Sequence, residues 1–266
     1  ANSGLQVDSH WGNFNVKVDV TDDPSTAGTV ELILHCTKLY SNAEALPALA
    51  GMVGGDTNIL TIQNGVTSGA TVASHYGRDR VLQGATYIES GIIGPGHINQ
   101  TGSVARIEFG ENDGSSTRRT EAIRGLFEKP GIQVEVSSNI VDTLWSKLVS
   151  VGAIGTLMTA ARASLPEILA SPHGEATIRM LMEEIVAVGQ SQGVTFPPRC
   201  VESKLEGAKA EADEFQSSLQ YDLSIGKPLE LDELLGAVVE MAGESGIPVP
   251  ASAALVSVLD RFKHGS

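Results

Sequence analysis

The fold turns on residues 132–151, IQVEVSSNIVDTLWSKLVSV, because the spacing of the apolar residues changes inside them. IQVEV closes a series of strand-like runs. From Ser138 onward Ile140, Leu144, Leu148 and Val151 fall at helical spacing, and that 3.6-residue period persists through the rest of the chain. Ser138 suits the N-cap of the new helix, and Asp142 stands in its first turns, where the macrodipole favours an acid. A boundary is expected near residue 137, with a sheet domain before it and an all-helical domain after it.

Working back toward the N-terminus, TVELILHC holds a near-continuous apolar run from Val30 to Cys36, as in a strand covered on both faces of a parallel sheet. NAEALPALAGMV supplies a short helix, and NILTIQNG a second buried strand ending in a glycine turn. Strand, helix, strand in this order implies right-handed parallel crossovers and an α/β layer fold. A helix over Ser68–Tyr76, the runs VLQGATYIES and SVARIEF, and a helix over Thr117–Glu128 extend it. FNVKVDV alternates strictly from Phe14 to Val20 and predicts a half-buried strand. The opening ANSGLQVDSHWGN predicts a polar turn with no strand.

Toward the C-terminus, Ile178, Leu181, Ile185 and Val188 form one helical stripe. Val201, Leu205, Ala208, Ala212, Phe215 and Leu219 form another. Leu231, Leu234, Leu235 and Val238 mark a helix ended by GESGIPVP, and Ala254–Phe262 is the last.

The 266 residues are 41% apolar, enough for two ordinary cores. No run of about 18 apolar residues spans a bilayer and no secretory layout opens the chain, so a soluble, cytoplasmic protein is expected. The net charge of −14 opposes binding to a phosphate backbone, which excludes a nucleic-acid partner. Cys36 and Cys200 make no disulfide framework and read as buried or half-buried thiols. The histidines show no metal-pair spacing, so no metal site is expected.

In an open α/β sheet, ligands bind beyond the carboxyl ends of the strands. Thr37-Lys38 and Gln63-Asn64-Gly65 occupy such places. A lysine there reaches a ribose or phosphate and an Asn-Gly turn exposes amide groups, although both also read as ordinary strand-end loops. In the helical half, Lys147 faces either a cleft or solvent. Ser217 and Ser218 sit in a helix pattern, where their hydroxyls would bond back to the preceding turn. Glu230 falls just inside a helix start, which the dipole alone would favour.

In order, the TK pair after a strand, QNG 26 residues later, WSK opening the helical domain, SS with a following D, and G-x-x-x-E-x-D before GIPVP resemble the ketopantoate reductase family, the 2-dehydropantoate 2-reductases. The resemblance spans essentially the whole chain. It implies a Rossmann-like NADP-binding domain over residues 1–137 and a helical substrate and catalytic domain over 138–266. It also implies NADPH-dependent reduction of ketopantoate to pantoate, in pantothenate biosynthesis, or of a related 2-oxo acid. By matching position, Lys147 is similar to the family's catalytic lysine, which protonates the ketone oxygen as hydride arrives at the carbon. Glu230 matches the acid that contacts the cofactor and holds the lysine's geometry. Ser218 matches the serine that binds the substrate carboxylate, Lys38 the cofactor-contacting lysine, and Asn64 the asparagine shared by substrate and cofactor. Ser90 falls where the backbone passes the nicotinamide.

Two positions depart from the family pattern. Val151 and Gly155, four and eight residues after Lys147, replace its asparagines, which leaves a different 2-oxo acid open. The family's G-x-G-x-x-G is not in these residues; GPGHIN at Gly94 does not fit it, and the fingerprint is expected upstream of Ala1, in a Rossmann-like domain truncated at its N-terminus. Also open are a reductase of another 2-oxo or 3-oxo acid and a non-catalytic remnant that pairs through its helices. The choices between NADPH and NADH, and between monomer and homodimer through the helical domain, remain open too.

Overall fold

The computed structural model describes residues 4–128 and 132–265; residues 1–3 of the expected opening turn lie outside them. The chain forms two compact units. One comprises Ala1–Thr37, Ser41–Gln63 and Gly69–Ile140, and the other Lys38–Tyr40, Asn64–Ser68 and Val141–Ser266.

The first unit is built on β1 (Leu5–Ser9), β2 (Phe14–Val16), β3 (Leu32–His35), α1 (Asn42–Ala48), β4 (Asn58–Thr61), α2 (Ser68–Tyr76), β5 (Val81–Gly94), β6 (His97–Gly110), α3 (Arg118–Glu128) and β7 (Gln133–Val136). The sheet order is β2-β1-β6-β5-β4-β3, with β7 also paired to β6. Strands β3, β4 and β5 run parallel, with Ile33 opposite Ile59 and Ile59 opposite Val81. Their side chains alternate between two cores. Ile33, Ile59 and Val81 pack with Leu46 of α1 and Val72 of α2, while Leu60, Leu82 and Phe109 pack with Ile123 of α3. Both faces of β4 are covered, which is why it reads as a continuous apolar run, whereas on the edge strand β3 Leu34 stays 44% exposed, so its expected cover on both faces is not met.

The opening differs from expectation, because it contains a strand. Gln6–Ser9 pair in parallel with His97–Gln100, and Leu5–Val7 pair antiparallel with Phe14–Val16. Polar contacts across the strands hold it: Ser9 Oγ donates to Gln100 Oε1 at 2.7 Å, and His97 Nε2 lies 2.7 Å from Asp8 Oδ2. Apolar periodicity carries no trace of such pairs. FNVKVDV, conversely, yields a strand of only three residues, all exposed, with Phe14 at 54% and Val20 at 70%. Edge position accounts for this, since β1 is the one strand that pairs with β2 among the described residues.

VLQGATYIES and SVARIEF prove to be parts of one antiparallel hairpin with arms of 14 residues each. Its tip is the Gly94-Pro95-Gly96 turn, where Gly96 adopts φ +70°. Proline followed by a glycine at positive φ is turn chemistry. Cys36, at the end of the edge strand β3, is exposed rather than buried, whereas Cys200 is buried.

The second unit follows α4 (Ile140–Ala161), α5 (Leu165–Ala170), α6 (Gly174–Ser191), α7 (Cys200–Ala210), α8 (Ser218–Ser224), α9 (Ala237–Ser245) and α10 (Pro250–Leu259). Helix α4 begins two residues after Ser138, and it is Ser137 Oγ that accepts from Asn139 N, at 3.2 Å. Trp145, Leu148, Ile154 and Met158 of α4 pack against Ile178, Leu181, Ile185 and Val188 of α6, with Leu205 of α7 and Val238 of α9. By length and composition α4 could cross a bilayer, with a window of mean hydropathy 1.3, but 61% of that window is buried, so it serves as a core helix.

The expected helix through Val201 and Leu219 is in fact two. Ser217 leaves the helical region (φ −109°, ψ 116°), and its Oγ accepts from Gln220 N to cap α8. The competition between hydroxyl and backbone that disfavours serine inside a helix here starts a new one. Ahead of α9 the chain makes a π-turn over Asp232–Gly236, with Gly236 N bonded to Leu231 O at 2.8 Å.

Candidate active site

Lys147 lies in the second turn of α4, between the buried Leu144 and Leu148, and is itself half-buried. Its Nζ donates to Asn64 Oδ1 at 2.8 Å. Burial pushes the ammonium down to about 8, partly opposed by the negative charge of Glu230. The solvated helix lysine that residue type alone suggests is not what the structure contains.

Asn64 sits in the turn after β4, and two features fix that turn. The buried Gln63 donates through Nε2 to Thr37 O at 2.7 Å and to Asn42 Oδ1 at 2.8 Å, which ties the loop ahead of Asn64 to the loop ahead of Lys38. Gly65 adopts φ +85°, and a Cβ there would stand 2.8 Å from Glu233 O. Only glycine lets the chain pass so close to the π-turn.

Glu230 lies just ahead of the π-turn, not inside a helix start, and is 3% exposed. Its Oε1 accepts from Leu39 N at 2.9 Å and its Oε2 from Lys38 Nζ at 3.1 Å. Lys38 Nζ also donates to Asp222 Oδ2 on α8 at 2.7 Å. Burial works against the charge of Lys38, yet Glu230 and Asp222 together hold its ammonium above the usual value.

A cavity of about 60 Å³ is lined by Asn64, Val151, Gly155, Phe215, Gln216, Ser217, Ser218, Leu219 and Leu234. Its lining combines the polar Asn64 and Ser218 with the apolar Val151, Phe215, Leu219 and Leu234. Ser217 Oγ is engaged with Gly155 O at 3.2 Å, and a Cβ on Gly155 would approach that hydroxyl to 3.1 Å.

Five of the residues singled out in the sequence are thus gathered in the helical unit: Lys38, Asn64, Lys147, Ser218 and Glu230. Ser90 belongs to the sheet unit, exposed on β5 opposite Gln100 and next to a β-bulge that follows Ile88. Sequence reasoning passed over Asp222, although the D of the SS-to-D spacing was its only signal. It also passed over Phe215 and Leu234, which looked like ordinary core. Chemically, an ammonium tied to a cavity wall and poised near neutrality can donate a proton to an oxygen that gains negative charge.

Comparison with known proteins agrees with this arrangement. Residues 139–263 match the family described as ketopantoate reductase PanE/ApbA C terminal, and residues 1–114 match ketopantoate reductase PanE/ApbA. The 2-dehydropantoate 2-reductase of Halobacterium salinarum is 30% identical over 258 residues, covering 96% of this chain and 84% of that protein. The structure of 2-dehydropantoate 2-reductase from Geobacter metallireducens superposes with a TM-score of 0.92 at 26% identity, over 98% of this chain and 87% of that one. A PanE/ApbA family ketopantoate reductase from Ralstonia eutropha gives 0.90 at 27% identity, over 98% and 85%. The mixed sheet followed by a helical domain is the fold of these proteins, and relatives named 2-dehydropantoate 2-reductase along the chain make it an oxidoreductase. It belongs to the ketopantoate reductase family.

Proposed function

We propose that the chain is a cytoplasmic enzyme that reduces the keto group of a small 2-oxo acid with NADPH, ketopantoate to pantoate being the reference reaction. The observation that supports this most is Lys147, hydrogen-bonded to Asn64 and lowered by burial to about 8. NADPH supplies a hydride to the keto carbon when bound. As negative charge gathers on the keto oxygen, Lys147 Nζ hydrogen-bonds that oxygen and passes it a proton. Asn64 holds the ammonium in place, and Glu230 keeps it protonated by opposing the effect of burial. Ser218 takes the substrate carboxylate.

A dinucleotide suits part of this donor set. Lys38 and Asn64 stand just past the carboxyl ends of the parallel strands β3 and β4, where such sheets take ligands, and the Lys38 side chain keeps 36% of its surface exposed. Lys38, Asn64, Glu230 and the backbone at Ser90 are assigned to the cofactor, with residues 1–137 as the NADP side and 138–266 as the substrate side. No residue is assigned to the pyrophosphate.

The test is NADPH oxidation by the purified protein across a panel of 2-oxo acids, beside a thermal shift with NADPH. Turnover of ketopantoate is the expected result. No turnover of any 2-oxo acid, with no NADPH shift at concentrations far above a micromolar Kd, rejects the reading. A second reading, in which another 2-oxo acid is preferred, is favoured by the apolar wall of Val151, Phe215, Leu219 and Leu234. The same panel separates the two.

A further inference from the structure

Asp222 is 4% exposed, an acid buried on the short helix α8, and its cationic partner among the described residues is Lys38, with Nζ at 2.7 Å. Glu230, equally buried, shares that ammonium at 3.1 Å. We propose that Asp222 is a positioning residue: it anchors Lys38, and through Lys38 it fixes the Glu230 carboxylate. This rests on the reductase reading only for its activity readout.

The three members are not equivalent. The side chains of Asp222 and Glu230 keep 6% and 4% of their surface, whereas that of Lys38 keeps 36%. Lysine is therefore the member that can leave. A long flexible side chain gains rotamer freedom and hydration by turning to water, and the second carboxylate opposes this. Without Asp222, Glu230 keeps the amide of Leu39 but loses the fixed cation on its other oxygen.

Other groups face this cluster. Tyr40 follows Lys38 in the same segment and interacts with Lys38, Asp222, Glu230 and Glu233. Glu233 of the π-turn interacts with Glu230, Asp232 and Lys263, and Lys263 pairs with Asp232 at 3.2 Å. Asp222→Asn keeps the shape and removes the anchor, so Lys38 turns to water, Glu230 stands without its cation, and Lys147 holds its proton more tightly.

The experiment is reductive methylation of the intact protein with formaldehyde and cyanoborohydride across pH, followed by mass spectrometry, since an amine reacts only when unprotonated. In Asp222→Asn the labelling midpoint of Lys147 is expected to rise by roughly half a pH unit or more, and Lys38 to label faster than in the unaltered protein. The decline of kcat/KM for 2-oxo acid reduction should move the same way, and Asp222→Glu should return both toward the original value. A merely structural role would lower the Tm and leave the midpoint in place, and an unmoved midpoint in folded Asp222→Asn overturns the proposal. The unaltered protein offers a second reading: anchored Lys38 should label more slowly than Lys227 or Lys209. Labelling of Lys38 as fast as theirs also overturns it. If no 2-oxo acid is turned over, the reductase reading fails while the labelling still decides the part played by Asp222.

Discussion

Lys147 Nζ donates to Asn64 Oδ1 at 2.8 Å across 83 residues of sequence. The bond joins the core helix α4 to the glycine turn after β4, so the ammonium is aimed by two elements that are each rigid for other reasons. Hydrogen bonds to a charged group contribute about 1.5–3 kcal/mol, so Asn64→Ala should lower kcat by roughly ten- to a hundredfold. Steady-state kinetics with saturating NADPH and 2-oxo acid measure this. A kcat within twofold of the original would deny Asn64 that role.

Removing the donor itself should cost more. Lys147→Ala is expected to lose about 10²–10⁴ in turnover, the range for a positioned general acid, while NADPH still raises the thermal midpoint. Retained turnover excludes Lys147 as the donor. Loss of the NADPH shift together with activity would point to misfolding instead.

The lowered ammonium predicts a pH dependence of definite sign. Burial brings Lys147 from 10.5 to about 8, and in the proposed mechanism reduction needs its protonated form. Activity in the reductive direction should therefore be full well below pH 8 and fall about tenfold per unit above it. Oxidation of the 2-hydroxy acid needs the free amine and should rise through the same pH. A reductive profile flat to pH 10 contradicts the assignment.

Substrate choice should follow the apolar wall. Val151→Asn puts an amide where Phe215, Leu219 and Leu234 complete an apolar surface. The ratio of kcat/KM for a 2-oxo acid with an alkyl side chain to that for hydroxylated ketopantoate should fall by roughly ten- to a hundredfold. An unchanged ratio would mean that this wall does not meet the substrate side chain.

Stability of the helical unit should depend on Glu184. This buried carboxylate of α6 accepts from Ala251 N at 2.9 Å and Ser252 N at 2.7 Å, the first free amides of α10 after Pro250. Glu184→Ala leaves both without an acceptor in a confined place and should destabilise by about 2 kcal/mol, lowering the Tm by roughly 4–8 °C. Calorimetry decides, and a Tm within 1 °C or so of the original would show that water replaces the carboxylate.

Much of the scaffold could be read in advance. The ILTI run announces a strand because both its faces are covered, Val30–Cys36 announces one although Leu34 lies exposed on the sheet edge, and Ile178 to Val188 announces α6 because its stripe meets α4. The readings that failed did so where pairing is not apolar. β1 is held by Ser9, Gln100, Asp8 and His97, and α7 and α8 are parted by a serine cap within an unbroken apolar stripe. Lys38, Asn64, Lys147, Ser218 and Glu230, which the helical unit gathers, were singled out from residue order, whereas Asp222 was given no role, because its meeting with Lys38 is visible only in the fold.

What the sequence determined by itself was therefore the alternation of strand and helix, the change to helical period after residue 137, and a surface of strong negative charge. These are properties of neighbouring residues and of sums over the chain, and need no fold to be expressed. Only the tertiary structure decided that Lys147 is half-buried and drawn down to about 8, and that Lys38 lies between two buried acids 184 and 192 residues away. Desolvation and charge pairing depend on what stands within a few ångströms, and folding alone brings such distant residues together.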